Sequence, residues 1–213
     1  MGTALHTIRV DHFNLCYMLR RLLALCEILE PLNCEDLSGS IALTLQYIDS
    51  RTARDAGGGA ETLLREALVQ SAFDASPKGK IAPVEPRIRS KLRFELTKAF
   101  EALRRDCSQV QRFCAAARSY AEFERWRMTQ FETQVIPLAF AALSPDDWRR
   151  VDAAVQRRKA SAREASHDRV AEQLFRKAVK SARAAQRNAT PRRSPASRLR
   201  PGYLPGRYRF RRS

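Results

Sequence analysis

Histidine and cysteine are the side chains best suited to metal ligation, proton transfer and nucleophilic attack near neutral pH. This chain uses them sparingly. Its histidines are His6, His12 and His167, with none between the last two. His12 stands in an apolar helical pattern, where a hydrogen-bonded or partly exposed helix-start imidazole is the expected role and a residual metal ligand the alternative. His6 and His167 have no partner spacing. The cysteines, Cys16, Cys26, Cys34, Cys107 and Cys114, form neither a Cys-x-x-Cys pair nor a zinc-like spacing, and an odd number cannot pair completely within one chain. Cys16 and Cys26 lie about three turns apart on one helix, too far to bond each other. These two read as buried small apolar residues, with redox sensing the alternative, and all five cysteines are expected to be reduced thiols. The run Gly57-Gly58-Gly59 lacks the Gly-Lys-Ser/Thr and the preceding strand of a phosphate-binding loop, so it reads as a break between helices.

The elements that must position these groups are helical. Leu15, Leu19, Leu22, Cys26 and Leu29 recur at alternating steps of four and three, the stripe of an amphipathic helix that Pro31 ends. A second helix begins near Cys34 and carries Ile41, Leu45 and Ile48. It breaks at the glycines, where each glycine costs about 1 kcal/mol in a helix interior, and resumes with Leu63, Leu64 and Phe73. Three prolines in residues 76 to 86 make a connection to a third helix from about Arg87 to Asp106, with Leu92, Leu96, Phe100 and Leu103 on its stripe. A fourth carries Val110, Phe113, Ala117, Tyr120, Phe131 and Leu138, and Pro137 is expected to kink its last turn. Ser144-Pro145-Asp146-Asp147 reads as a helix start, with a capping hydroxyl, proline in the first turn and acids near the positive end. Val170, Leu174, Phe175, Ala178 and Val179 mark a further short amphipathic helix, basic on its other side.

The expected fold is therefore all-α: a four-helix up-down bundle over residues 4–155, a basic amphipathic helical extension over 156–185, and a disordered Arg-rich tail over 186–213. The formal charge of +16 is unevenly placed. From Gln156 onward, 18 Lys and Arg face Glu164, Asp168 and Glu172, whereas the first 155 residues hold 21 basic and 20 acidic residues. Tyr203, Tyr208 and Phe210 stand among Arg207, Arg209, Arg211 and Arg212. With Arg192 and Arg193, these make a candidate polyanion-binding segment that releases counterions and stacks on unpaired bases. No apolar run reaches the ~18 residues of a membrane span, and the start MGTALH lacks a signal-like pattern, so the expected location is cytoplasmic.

Four stretches give the chain a likeness to a known family: Asp11-His12-Phe13-Asn14, Leu45-Gln46-Tyr47-Ile48, the segment YAEFERWRMTQFETQVIPLA from Tyr120 to Ala139, and Leu143-Ser144-Pro145-Asp146-Asp147-Trp148. Together they resemble the hemerythrin-like HHE cation-binding family over roughly residues 4 to 181. That resemblance implies a four-helix bundle holding a non-haem di-iron site between its helices. His12 matches the family's first-helix ligand. The second-helix motif HHxxEE falls on Ala56-Gly57-Gly58-Gly59-Ala60-Glu61, leaving Glu61 alone. The fourth-helix motif HMxxEE falls on Arg127-Met128-Thr129-Gln130-Phe131-Glu132, which places arginine at the histidine position and leaves Glu132. The third-helix histidine is missing, its place falling on Phe94 or Glu95. His12, Glu61 and Glu132 are thus remnants of family ligand positions, too few for a di-iron centre, and no cofactor is expected.

Arg127 lies on the stripe of Tyr120 and Phe131, and a cation there needs a partner: Glu124 first, or Glu132, Glu61 or His12. The resulting expectation is a non-enzymatic binding or regulatory protein with an unknown protein partner. Two alternatives stand beside it: an iron- or oxygen-binding protein with unusual ligands, and nucleic-acid binding through the tail.

Overall fold

The computed structural model describes residues 2–30, 33–56, 59–74 and 86–160, together with positions 169, 173, 176, 177, 180, 184 and 187. The protein is all-α. Helices α1 (Thr3–Ile28), α2 (Cys34–Ala56), α3 (Ala60–Asp74), α4 (Pro86–Arg105) and α5 (Val110–Gln130) are followed by a π-helical turn, Phe131–Val135, and by α6 (Ile136–Ala142) and α7 (Pro145–Ala160). Among the described residues, no helix is long and apolar enough to cross a membrane. The segment from residue 75 to 85 and the tail from 188 onward, including Arg192, Arg193, Arg207, Arg209, Arg211 and Arg212, lie outside the described residues, as does His167.

The helix α1 buries Leu5, Ile8, His12, Leu15, Leu19, Leu22 and Cys26, a single stripe at steps of three and four. This stripe serves two apolar clusters. From Leu15 onward α1 packs with Leu37, Ile41 and Ile48 of α2, Leu96 and Leu103 of α4, and Phe113, Ala117 and Tyr120 of α5. Ala4, Leu5 and Ile8 instead meet Leu64 and Leu68 of α3, Phe131, Val135 and Ala139, and Val151 and Val155 of α7. His12 stands on α1 between the two.

Local chemistry fixes the ends of the elements. Ser144 Oγ accepts the Asp147 N–H at 3.2 Å, while the Asp147 carboxylate accepts the Ser144 N–H at 2.9 Å, a reciprocal cap on α7. The first turn of α1 has no side-chain cap of its own; Asp152 of α7 reaches across and accepts the Ala4 N–H at 2.8 Å. Pro137 lacks an N–H, and its ring crowds the carbonyl four residues back. Helix continues through it because the π-helical turn precedes it and restarts α6 with Pro137 in the first turn, where no intrahelical donor is needed.

The cysteines, expected to be reduced, are not all thiols. Cys34 and Cys107 are joined by a disulfide with a Cα–Cα separation of 5.9 Å, linking the start of α2 to the short 3-10 turn Cys107–Gln109 ahead of α5. The two residues are 73 positions apart, so no local spacing announces the pair.

Candidate functional site: a buried chain of ionic contacts

At the seam between the two apolar clusters, α1, α3, α4 and α5 each contribute charged side chains. Glu61 comes from the first turn of α3 and Arg127 from the last turn of α5. His12 Nε2 lies 2.7 Å from Glu61 Oε1, and His12 Nδ1 lies 2.8 Å from Glu132 Oε1. The second Glu61 oxygen accepts from the terminal Nη1 of Arg127 at 2.6 Å. Arg127 Nε donates to Glu124 Oε2 at 2.9 Å. Glu124 in turn receives Arg89 of α4 on both oxygens, at 2.5 and 3.2 Å. Glu132, His12, Glu61, Arg127, Glu124 and Arg89 thus form one continuous line of alternating sign.

Burial makes the line more than a surface network. Glu124 is 0% exposed, His12 5% and Arg127 5%. A lone charge there would be strongly destabilising, and alternation supplies every buried charge with an opposite neighbour. The Glu132 side chain, half exposed, and Arg89 bring the two ends toward solvent.

The surroundings set the ionisation. Burial by itself would push the His12 imidazole toward its neutral form, but hydrogen bonds to Glu61 and Glu132 and the Glu61 charge outweigh burial and the nearby Arg127, so its pKa is raised. For Glu61, burial opposes ionisation, yet the His12 hydrogen bond and the Arg127 charge bring its pKa down to about 2. Arg65, one turn after Glu61, lies over the Phe131 ring at 4.9 Å, and burial lowers its pKa against the pull of Glu61. Phe131 also meets the His12 ring edge-on at 5.8 Å. Tyr120 is fully buried beside the chain, 3.4 Å from the Thr52 hydroxyl, and its phenol is pushed up by burial and by Glu124. Just beyond, Arg51 of α2 pairs with Asp11, the residue preceding His12.

The structure therefore brings His12, Glu61, Glu132, Arg127 and Glu124 into one site and adds Arg89 and Arg65. Arg89 precedes Leu92 and Leu96 at steps of three and four, so its place on the inward stripe of α4 is present in the sequence. Arg65 follows Glu61 by four, the spacing that stacks side chains on one helix face. What sequence spacing does not carry is the alignment of α4 against α5 that brings Arg89 to Glu124.

Chemically, the arrangement neutralises itself. Both imidazole nitrogens face carboxylates, and both carboxylate oxygens of Glu61 and of Glu124 are occupied. Among the described residues, no group of three or more His, Cys, Asp or Glu side chains is arranged to hold a metal ion. Comparison of the chain with family models, with curated proteins and with solved structures finds no match.

Proposed function

We propose that this chain is a hemerythrin-like four-helix up-down bundle in which an internal ionic chain stands where the family carries di-iron, and that it serves as a non-enzymatic binding or regulatory protein. The observation that carries the reading is Arg127, whose guanidinium lies between Glu61 and Glu124 at 2.6 and 2.9 Å. A guanidinium remains protonated and has no lone pair for a metal. It neutralises the carboxylate that an iron ion would need. A dinuclear iron site requires several imidazoles and bridging carboxylates converging from facing helices. Here a single imidazole is present, and it is already engaged on both nitrogens. The residues do not fit the group.

The test is iron content and the visible absorbance of the full chain, purified from iron-supplemented cells without chelators. Substoichiometric iron and no oxo-bridge bands are expected. Stoichiometric iron with such bands refutes the reading in favour of an iron- or oxygen-binding protein with unusual ligands.

A second reading, polyanion binding by the C-terminal end, is favoured by one feature. Arg169, Arg176, Lys177, Lys180 and Arg187 are helical positions, all exposed, and they continue into the Arg-rich tail.

A further inference from the structure

The sequence scatters five cysteines, but the fold groups four of them as two facing pairs across the same helix ends. Cys34 and Cys107 are bonded. Eight residues before Cys34, near the end of α1, is Cys26; seven residues after Cys107, in the first turns of α5, is Cys114. Cys114 Sγ donates to the Cys26 carbonyl oxygen at 3.7 Å, which brings the two side chains together between α1 and α5. Both belong to the apolar cluster that contains the disulfide, at 8% and 3% exposure, whereas Cys16 is partly exposed on a separate stretch of α1.

We infer that Cys26 and Cys114 form a dithiol site that is oxidised by a hydroperoxide to a second disulfide between α1 and α5. The two sulfurs have different roles. The hydrogen bond from Cys26 and the Arg118 charge, one turn further along α5, draw the Cys114 thiol down to about 7 against burial. The same hydrogen bond, together with burial and the Glu27 charge, pushes Cys26 up against the pull of Arg118. Cys114 is therefore the attacking thiolate and Cys26 the resolving thiol.

Cys114 Sγ attacks one peroxide oxygen, and the O–O bond breaks. The leaving alkoxide takes a proton and departs as the alcohol, leaving a sulfenic acid on Cys114. Cys26 Sγ then attacks that sulfur, the S–O bond breaks, and hydroxide leaves with the remaining proton as water. Two thiols and one hydroperoxide become one disulfide, one alcohol and one water. The sulfurs lose two electrons and the peroxide gains them.

The test uses the full chain and hydrogen peroxide, with alkylation under denaturing, non-reducing conditions and peptide mapping. Before treatment, Cys16, Cys26 and Cys114 should each carry the alkyl group. Afterward only Cys16 should, with a Cys26–Cys114 cross-linked peptide and the Cys34–Cys107 link intact. The rate should rise about tenfold from pH 6 to pH 8, as a thiol titrating near 7 becomes thiolate. In a Cys26→Ala variant, Cys114 should accumulate as a sulfenic acid trapped by dimedone. Should that variant fail to fold, the wild-type time course decides, because Cys26 and Cys114 must disappear together. Preferential loss of Cys16, scrambled pairing with Cys34 or Cys107, or loss of Cys114 while Cys26 remains alkylable overturns the inference.

Discussion

The Arg127→Leu substitution interrogates the ionic chain at its centre. The guanidinium is 5% exposed and bridges Glu61 at 2.6 Å and Glu124 at 2.9 Å. Leucine fills part of the volume but leaves both carboxylates one cation short in the low-dielectric seam. Removing one partner of a buried ion pair costs roughly 3–5 kcal/mol. Glu124 keeps Arg89 on both oxygens and Glu61 keeps His12, so the lower end of that range applies, about 3 kcal/mol. For a domain of this size, that corresponds to a fall in melting temperature of roughly 6–12 °C. Urea unfolding followed by circular dichroism at pH 6 measures it directly. Adding Glu61→Gln removes the orphaned charge on one side, so the double variant should lose less than the sum of the two single losses, with a coupling of about 1 kcal/mol or more. Unchanged or higher stability of the Arg127→Leu variant refutes the reasoning, because the guanidinium would then be dispensable to the carboxylates around it.

The raised His12 pKa contributes stability that is complete below its unfolded value of 6.5 and is lost as pH rises through the folded value. The lowered Glu61 pKa contributes stability that is complete above 4.5 and is lost as pH falls toward 2. The urea midpoint should therefore peak between about pH 4.5 and 6.5, and His12→Gln should remove the alkaline decline; a midpoint that climbs from pH 5.5 to 8.5 contradicts this. For the basic end, fluorescence anisotropy with a single-stranded oligonucleotide should show a steep loss of affinity with salt, and a chain lacking residues 187 to 213 should give a shallower slope. Equal affinity and slope with and without those residues remove the polyanion reading.

Much of the fold is legible in the sequence because amphipathic periodicity and caps act locally. The α1 stripe places His12 in line with Leu15 and Leu19, and Ser144-Pro145-Asp146-Asp147 marks the start of α7 through groups within four residues of one another. Arg127 declares its need for a partner by falling on an apolar stripe. The identity of its partners depends on helix alignment. Glu124 is one turn away and can be read from spacing; Glu61 is 66 residues distant and reaches Arg127 only because α3 packs beside α1 and the end of α5. Arg89 is concealed for the same reason, since its position on the α4 stripe is visible while its height against α5 is not. The cysteines are the extreme case. Pairs separated by 73 and 88 residues leave no trace in spacing, and the apolar reading is locally correct for Cys26, which lies in the core, while Cys16 is only partly buried.

The placement of the ionic chain explains why two apolar clusters coexist along α1 and α5 without merging. Helix α1 runs through both, and α5 reaches the second through the π-helical turn that follows it, with Leu15 and Tyr120 on one side and Ile8 and Phe131 on the other. Between them, His12 on α1 and Arg127 on α5 occupy stripe positions that apolar residues hold elsewhere. The hydrophobic effect is non-directional, whereas a charge buried at the seam is stabilised only at contact distance from its opposite. The energetic gradient follows exposure. Glu132 is half exposed, so its contact with His12 falls near the range of ~0–1 kcal/mol for surface pairs, while Arg127 and Glu124 cannot lose a partner without leaving a desolvated charge. The central links therefore set the alignment of α3, α4 and α5, and Glu132 at the rim can be exchanged at little cost to the fold. A group entering from the Glu132 end would thus meet Glu132 first and would reach the inner Glu61 oxygen only by displacing His12.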